Sequence, residues 1–204
     1  MDAAPPACDA LSMSRGPAVR ARHMKNLLAT IERLPPDERE RVLMLVPEPV
    51  VGEVADATGV DWLPLEANLV VTRAVHGGLG DARFYRFFRD QLLEAFSGPL
   101  LGIVVEAALR VFRVDATSFT SWVGRGWGLI FRECGEWTVE RAGAGTARLR
   151  IESLPAACVH DEVWLRSVSH SLDAFWVLAK TEGQCTCVGR ELARGVATYE
   201  LRWK

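Results

Sequence analysis

The residues best suited to acid–base chemistry lie near position 160. His160, Asp161 and Glu162 are consecutive, and His170 precedes Asp173 by three residues, a spacing that places two side chains on one face of a helix. A histidine beside a carboxylate can transfer protons near neutral pH. No nucleophile or oxyanion loop accompanies them in the sequence, and carboxylates at a helix start also favour the positive end of its dipole. A structural role is therefore the preferred interpretation, and acid–base catalysis is the alternative.

Cysteine is the other residue type that could carry chemistry. The five cysteines are Cys8, Cys134, Cys158, Cys185 and Cys187. Cys185 and Cys187 would share one face of a strand, whereas zinc ligands usually come from pairs separated by two residues in a tight turn. An odd number of cysteines in a chain large enough to fold on a hydrophobic core favours reduced, buried thiols. We expect no metal and no other cofactor.

Two glycine-rich segments, residues 76–81 and 124–128, could suggest phosphate-binding loops. Neither follows a predicted strand, and neither has the Lys-Ser/Thr pair or the glycine spacing that cradles phosphate. Helix ends and close helix packing explain these glycines better.

Composition excludes several classes of protein. The 24 Lys and Arg against 26 Asp and Glu give a net charge of −2, which offers no electrostatic reason for a nucleic-acid partner. DNA binding by the basic residues between Arg15 and Lys25 is a weakly supported option. The longest apolar run, 99–105, is too short for a membrane span, and residues 1–18 lack the pattern of a secretory signal. We expect a cytoplasmic protein that binds neither nucleic acid nor membrane.

Aromatic residues supply the candidate binding site. The chain has seven tryptophans but two tyrosines. Aromatic side chains bury large areas where a helix crosses a sheet, and some of them could line an apolar pocket or a dimer surface. The candidate ligand-binding residues are Trp122, Trp127, Phe131, Trp164, Phe175 and Trp176.

Periodicity predicts the elements that position these residues. Residues 1–21 are predicted to be a disordered N-terminal extension, and residues 22–204 a single domain. Helical spacing predicts a helix-rich first part, with Leu100–Phe112 as a central helix. Alternation then predicts two hairpins, one over 137–151 and one over 185–203. Between them, an apolar stripe predicts one long helix, Asp161–Lys180, lying across the sheet.

The predicted fold class is therefore α+β, with a helix-rich N-terminal part packed on an antiparallel sheet of two hairpins joined by a long helix. This order resembles the fold shared by heme nitric-oxide/oxygen-binding domains, vinyl-reductase-like 4VR domains and TRAPP vesicle-tethering subunits. The similarity is closest to a small uncharacterised family found in myxobacteria. It is carried by the helix 163–180, by Glu182-Gly183, by the terminal strand 195–203 and by the strand-then-proline segment 149–155.

Heme itself is not expected. A heme sensor needs a proximal histidine on the helical side of the pocket and partners for the propionates. No histidine occurs between His76 and His160, and residues 149–153 read Leu-Arg-Ile-Glu-Ser where the Tyr-x-Ser-x-Arg clamp of the heme group would fall.

The resemblance implies a small-molecule-sensing or protein-assembly module more readily than a catalyst. We expect a non-catalytic module with an apolar pocket or a dimer surface, which binds an apolar small molecule and forms a homodimer or binds a partner protein. The alternative is an enzyme acting on a hydrophobic small molecule, with His160, Asp161 or His170 in acid–base roles. An enzyme would bring those groups together in a concave site, whereas a module would show an apolar cleft or patch.

Overall fold

The computed structural model describes residues 16–96, 116–143 and 145–204. Its helices are α1 (Ala21–Glu32), α2 (Pro36–Leu43), α3 (Glu48–Asp56), α4 (Leu65–Leu79), α5 (Asp81–Phe96), α6 (Ala116–Ile130), α7 (Ala156–His160), α8 (Glu162–Leu172) and α9 (Ala174–Ala179). Its strands are β1 (Ala18–Arg20), β2 (Trp62–Pro64), β3 (Phe131–Arg132), β4 (Glu136–Gly143), β5 (Thr146–Glu152), β6 (Gly183–Glu191) and β7 (Val196–Trp203). The predicted central helix Leu100–Phe112 lies outside these residues.

Two hairpins form the main sheet, as alternation in the sequence predicts. The strand order is β4-β5-β7-β6 and every pairing is antiparallel. The inner strands β5 and β7 pair Leu149 with Tyr199, and both side chains are fully buried. Helix α6, which precedes the sheet in sequence, packs on β4 and β5, and helix α8 between the hairpins packs on β6, so the predicted α+β fold class is confirmed.

The folded part starts earlier than the sequence suggests. Residues Ala18–Arg20, which the prediction assigned to a disordered extension, form the central strand of a small sheet ordered β2-β1-β3. Ala18 and Val19 are 0% exposed. The predicted start of the domain at Arg22 is therefore too late, because a three-residue strand is too short to show a period and its pairing partners are distant in sequence.

The predicted helix Asp161–Lys180 is divided into α8 and α9, so the prediction of one continuous helix was wrong. Asp161 precedes α8 as its N-cap and accepts a hydrogen bond from the backbone N–H of Trp164 at 3.0 Å. At Asp173 the backbone bonding changes, because Trp176 donates to the carbonyl three residues back, at 3.3 Å. The apolar stripe is carried by two short helices in succession.

Helix α8 joins the two parts of the fold. On one side, the indole Nε1 of Trp164 donates to Oδ1 of Asn68 on α4 at 2.8 Å. On the other side, the hydroxyl of Tyr199 on β7 donates to the carbonyl of Leu165 at 3.4 Å. The helix therefore lies between the helical part and the sheet. Within the described residues, no helix is both long and apolar enough to span a bilayer.

Candidate functional site

Three of the predicted ligand-binding side chains meet in one aromatic cluster. The ring centroid of Trp127 lies 4.3 Å from Phe131 and 5.9 Å from Trp164, and Phe131 lies 5.9 Å from Trp164. Trp137 of β4 extends the cluster, 5.6 Å from Trp127. Trp164 is only 1% exposed, and the indole N–H of Trp127 donates to the carbonyl of Cys134 at 3.1 Å. These rings form packed core.

Two of the other predicted residues, Phe175 and Trp176, lie on α9. Trp176 stacks on Trp203, with centroids 5.6 Å apart and ring planes 19° apart. Phe175 is half-buried beside it in sequence on α9. Trp122 belongs to α6, but its side chain lies outside the described part of the chain. The predicted site is thus split between two regions of the fold.

A cleft of about 450 Å³ opens between α5, α8 and the edge strand β6. Its volume is within the range typical of small-molecule sites, about 300–1,000 Å³. We call it the α8 cleft. It is lined by Tyr85 of α5, by Glu162, Leu165, Arg166, Ser169 and His170 of α8, by Asp173, and by residues 184–190 of β6. Because residues three or four apart share a helix face, the polar side chains of α8 line the cleft in a row.

His170 is the most unusual group in the α8 cleft. Its ring lies edge-on to Phe84 and Tyr85, at centroid distances of 5.6 and 5.0 Å. Both ring nitrogens are buried, and neither has a hydrogen-bond partner among the described residues. Burial lowers the pKa of His170 to about 4, and the charge of Arg166 acts in the same direction. The neutral imidazole therefore has one donor and one acceptor without a partner among the described residues.

Asp173 also lines the α8 cleft. Its carboxylate accepts the backbone N–H of Cys185 at 2.6 Å, and burial raises the pKa of Asp173 to about 6. Burial also raises the pKa of the Cys185 and Cys187 thiols. Because the thiolate is the reactive form, both cysteines are poor nucleophiles at neutral pH. Across the described ranges, no group of three or more His, Cys, Asp or Glu could hold a metal ion.

Two ion pairs flank the α8 cleft. Arg166 contacts Asp81 at 2.5 Å, and Arg190 contacts Glu162 at 3.6 Å. The carboxylates are 73% and 71% exposed, and ion pairs in such positions contribute only about 0–1 kcal/mol. Both guanidinium groups can therefore exchange their partner for a bound anion at little cost.

The acid–base residues proposed for the enzyme alternative are not brought together. His160 is exposed at the end of α7. Asp161 is buried, and its two oxygens accept the N–H of Trp164 and Nε of Arg73, the latter at 2.7 Å. Of the three proposed residues, His170 alone lines the α8 cleft.

Sequence reasoning identified His170 and the two cysteines but not the cleft. Tyr85, Arg166 and Arg190 lie on three elements that are separated in sequence. One local signal was present: Glu162, Arg166 and His170 repeat at intervals of four on a helix that is otherwise largely apolar.

Comparison with known proteins finds similarity of fold. No family model matches the sequence, and no curated protein matches it. An Fe(II) unliganded H-NOX protein from K. algicida has a TM-score of 0.60 and 8% identity, with 91% of this chain and 96% of that chain covered. An oxygen-binding H-NOX domain related to soluble guanylate cyclases has a TM-score of 0.57 and 10% identity, with 91% and 95% covered. A mutant of T. Tengcongensis H-NOX has a TM-score of 0.56 and 10% identity, with 91% and 97% covered. The chain has an H-NOX-like fold.

The residues of this chain do not fit a heme. The side chains that ligate heme iron are His, Cys, Met and Tyr. Residues 97–133, which run from the end of α5 to just past the end of β3, contain none of them. A macrocycle also needs an open slot between the helices and the sheet. Trp127, Phe131 and Trp164 pack against one another there, and Trp164 is hydrogen-bonded to Asn68.

Proposed function

We propose that this protein is a non-catalytic small-molecule-sensing module that has an H-NOX-like fold but uses no heme, and that its ligand binds in the α8 cleft. The observation that carries the proposal is the His170 ring, which lines a cleft of about 450 Å³ with both nitrogens unpaired in the described structure. A buried polar group without a partner costs about 1–3 kcal/mol, which a ligand that hydrogen-bonds to the ring would offset.

The position of the cleft supports sensing rather than catalysis. It joins α5 of the helical part, α8, and the edge of the sheet, so a ligand there would favour one arrangement of these elements over others. The protonated thiols and the separation of His160 and Asp161 from His170 leave the cleft without an activated nucleophile in the part described.

In this proposal the aromatic cluster of Trp127, Phe131 and Trp164 is core. Ligand contact by Trp122, Phe175 and Trp176 stays a prediction. So do the homodimer or partner-protein surface, the cytoplasmic location, and the relationships to 4VR domains, TRAPP subunits and the myxobacterial family.

Native mass spectrometry of gently purified protein, incubated with a metabolite extract, tests the proposal. Cys187→Trp would fill the cleft from β6, because Cys187 pairs with Tyr199 and lies on the sheet face that α8 covers. Thr138→Trp places the same side chain on the opposite edge strand as a control. We expect a bound small molecule on the wild type and on Thr138→Trp, but not on Cys187→Trp. We also expect that added hemin gives no saturable Soret band.

Either of two results would contradict the proposal. One is a stoichiometric hemin complex. The other is a small-molecule adduct that is absent from the wild type or unchanged by Cys187→Trp.

A further inference from the structure

We infer that the α8 cleft selects a small organic carboxylate, whose anionic group is held by Arg166 and Arg190 and whose apolar body packs on Tyr85. This inference rests on the proposed function and adds the chemical class of the ligand.

Arg166 and Arg190 are the two arginines among the described residues that line the cleft. Arg166 and Arg190 bracket Glu162, because Arg166 follows it by one helical turn and Arg190 reaches it from β6. Arg166 is only one of two partners of Asp81, since Nε2 of His76 lies 2.8 Å from the same carboxylate oxygen. If Arg166 binds a ligand instead of Asp81, the carboxylate of Asp81 still has its contact with Nε2 of His76. Guanidinium groups suit carboxylates because their planar donors match the two oxygens.

The acidic residues of the cleft are already engaged. Asp173 accepts the N–H of Cys185, and Glu162 faces Arg190. A cationic ligand would have to displace the backbone N–H of Cys185 from Asp173, or the guanidinium of Arg190 from Glu162. An anion needs only to replace two highly exposed carboxylates, those of Asp81 and Glu162, which are well solvated when released.

Apolar and planar groups form the rest of the wall. Tyr85, Leu165 and Val188 line the cleft, and His170 stands edge-on to Tyr85. A ring placed on this wall would lie beside the imidazole of His170, and a turn of that imidazole would bring its unpaired nitrogens to a polar substituent. The ligand class that uses all of these groups is a carboxylate on an apolar or aromatic body.

A peptide added to the edge of the sheet is a less suitable occupant. Strand addition needs open backbone N–H groups along β6, and the N–H of Cys185 is taken by Asp173. We therefore assign the cleft to a small molecule.

Three probes that share a naphthalene ring test the inference: 2-naphthoate, the neutral 2-naphthamide and the cationic 2-naphthylmethylammonium. Binding to the full chain would be measured by calorimetry, and the contact site by the ¹⁵N shifts of the His170 ring and the β6 amides. The cleft variants are Arg166→Gln and Arg190→Gln. Arg39→Gln is the control, because Arg39 is an ion-paired arginine on α2 with similar exposure.

We expect 2-naphthoate to bind about tenfold or more tightly than either other probe, because a charge-assisted hydrogen bond is lost with the charge. Each cleft variant should weaken 2-naphthoate by a similar factor, and Arg39→Gln should leave it unchanged. Added salt should weaken binding of the anion but not that of the amide.

The inference is overturned if the amide or the ammonium probe binds as tightly as 2-naphthoate, or if the two cleft variants bind it like the wild type. If 2-naphthoate does not bind but a retained molecule is lost in Cys187→Trp, the ligand class is wrong and the proposed function stands. If 2-naphthoate does not bind and no retained molecule is found, the inference and the proposed function are both wrong.

Discussion

At the scale of single residues, His170 gives the clearest test of whether the cleft is built for binding. His170→Phe keeps a ring between Phe84 and Tyr85 but removes both unpaired nitrogens. We expect the variant to be more stable than the wild type by about 1–3 kcal/mol at pH 7.5 in urea denaturation. His160→Phe, at an exposed position, should change stability by less than about 0.5 kcal/mol. A loss of stability in His170→Phe would show that the nitrogens have partners in solution.

The same residue makes stability depend on pH. The pKa of His170 is lowered from its ordinary 6.5 to about 4, so the unfolded chain binds a proton that the folded chain does not. The contribution of neutral His170 to the free energy of unfolding is therefore complete above pH 6.5, and it is lost as the pH falls towards 4. Asp173 acts in the opposite sense, because its pKa is raised from 3.8 to about 6 and its contribution is lost as the pH rises through that range. His23, whose pKa burial lowers to about 4, acts like His170.

We therefore expect His170→Phe to lower the slope of unfolding free energy against pH between 4.5 and 6. The slope should decrease by roughly 1.4 kcal/mol per pH unit, which corresponds to about one proton that the unfolded chain binds and the folded chain does not. Urea denaturation at four pH values measures it. Parallel curves for the two proteins would mean that His170 titrates normally in the folded state.

At the scale of elements, the contact between α9 and β6 leaves no space at Gly183. A Cβ added there would lie 2.5 Å from the indole of Trp176, which is itself stacked on Trp203. We expect Gly183→Ala to destabilise the protein by about 1–3 kcal/mol because the ring cannot move aside freely. Gly189→Ala, on the same strand, meets its nearest atom at 3.8 Å and should be close to neutral. Equal effects in thermal denaturation would contradict this packing.

Local pattern predicted the hairpins but not the ends and breaks of the other elements. The alternation in β5 and β7 follows from burial of one face, which the sequence records directly. The division at Asp173 could not be read in this way, because its carboxylate is held by Cys185, twelve residues away. For the same reason β1 was missed, since Val19 pairs with Leu63 and Phe131.

Contacts of Asp173 also protect an edge of the sheet. Among the described strands, β6 has a neighbour on one side only, and open edges can pair with other chains. By accepting the N–H of Cys185, Asp173 removes one of the exposed donors. The residue that ends α8 therefore also limits association through β6.

At the scale of the whole molecule, the hydrogen bond from Trp164 to Asn68 connects the helical part to the helix that covers the sheet. We expect a double-mutant cycle of Trp164→Phe and Asn68→Leu to be non-additive. Each single change leaves a buried polar group unpaired, whereas the double change removes both, so its cost should be lower than the sum by about 1 kcal/mol or more. Additive costs in chemical denaturation would mean that the bond does not couple the two parts.

The site was less predictable than the fold for a physical reason. Trp127, Phe131 and Trp164 could be grouped from sequence because large aromatic side chains gather where helices cross a sheet. The α8 cleft depends on Tyr85, Arg166 and Arg190 coming together, and their order along the chain gives no sign of this.

The arrangement of indoles has an optical consequence. Trp127 lies 5.6 Å from Trp137 and 5.9 Å from Trp164, so the electronic transitions of the three chromophores couple. The resulting circular-dichroism couplet depends on the mutual orientation of α6, β4 and α8. Because Trp164 belongs to the helix that lines the cleft, this intrinsic signal would register a shift of α8 without any added label.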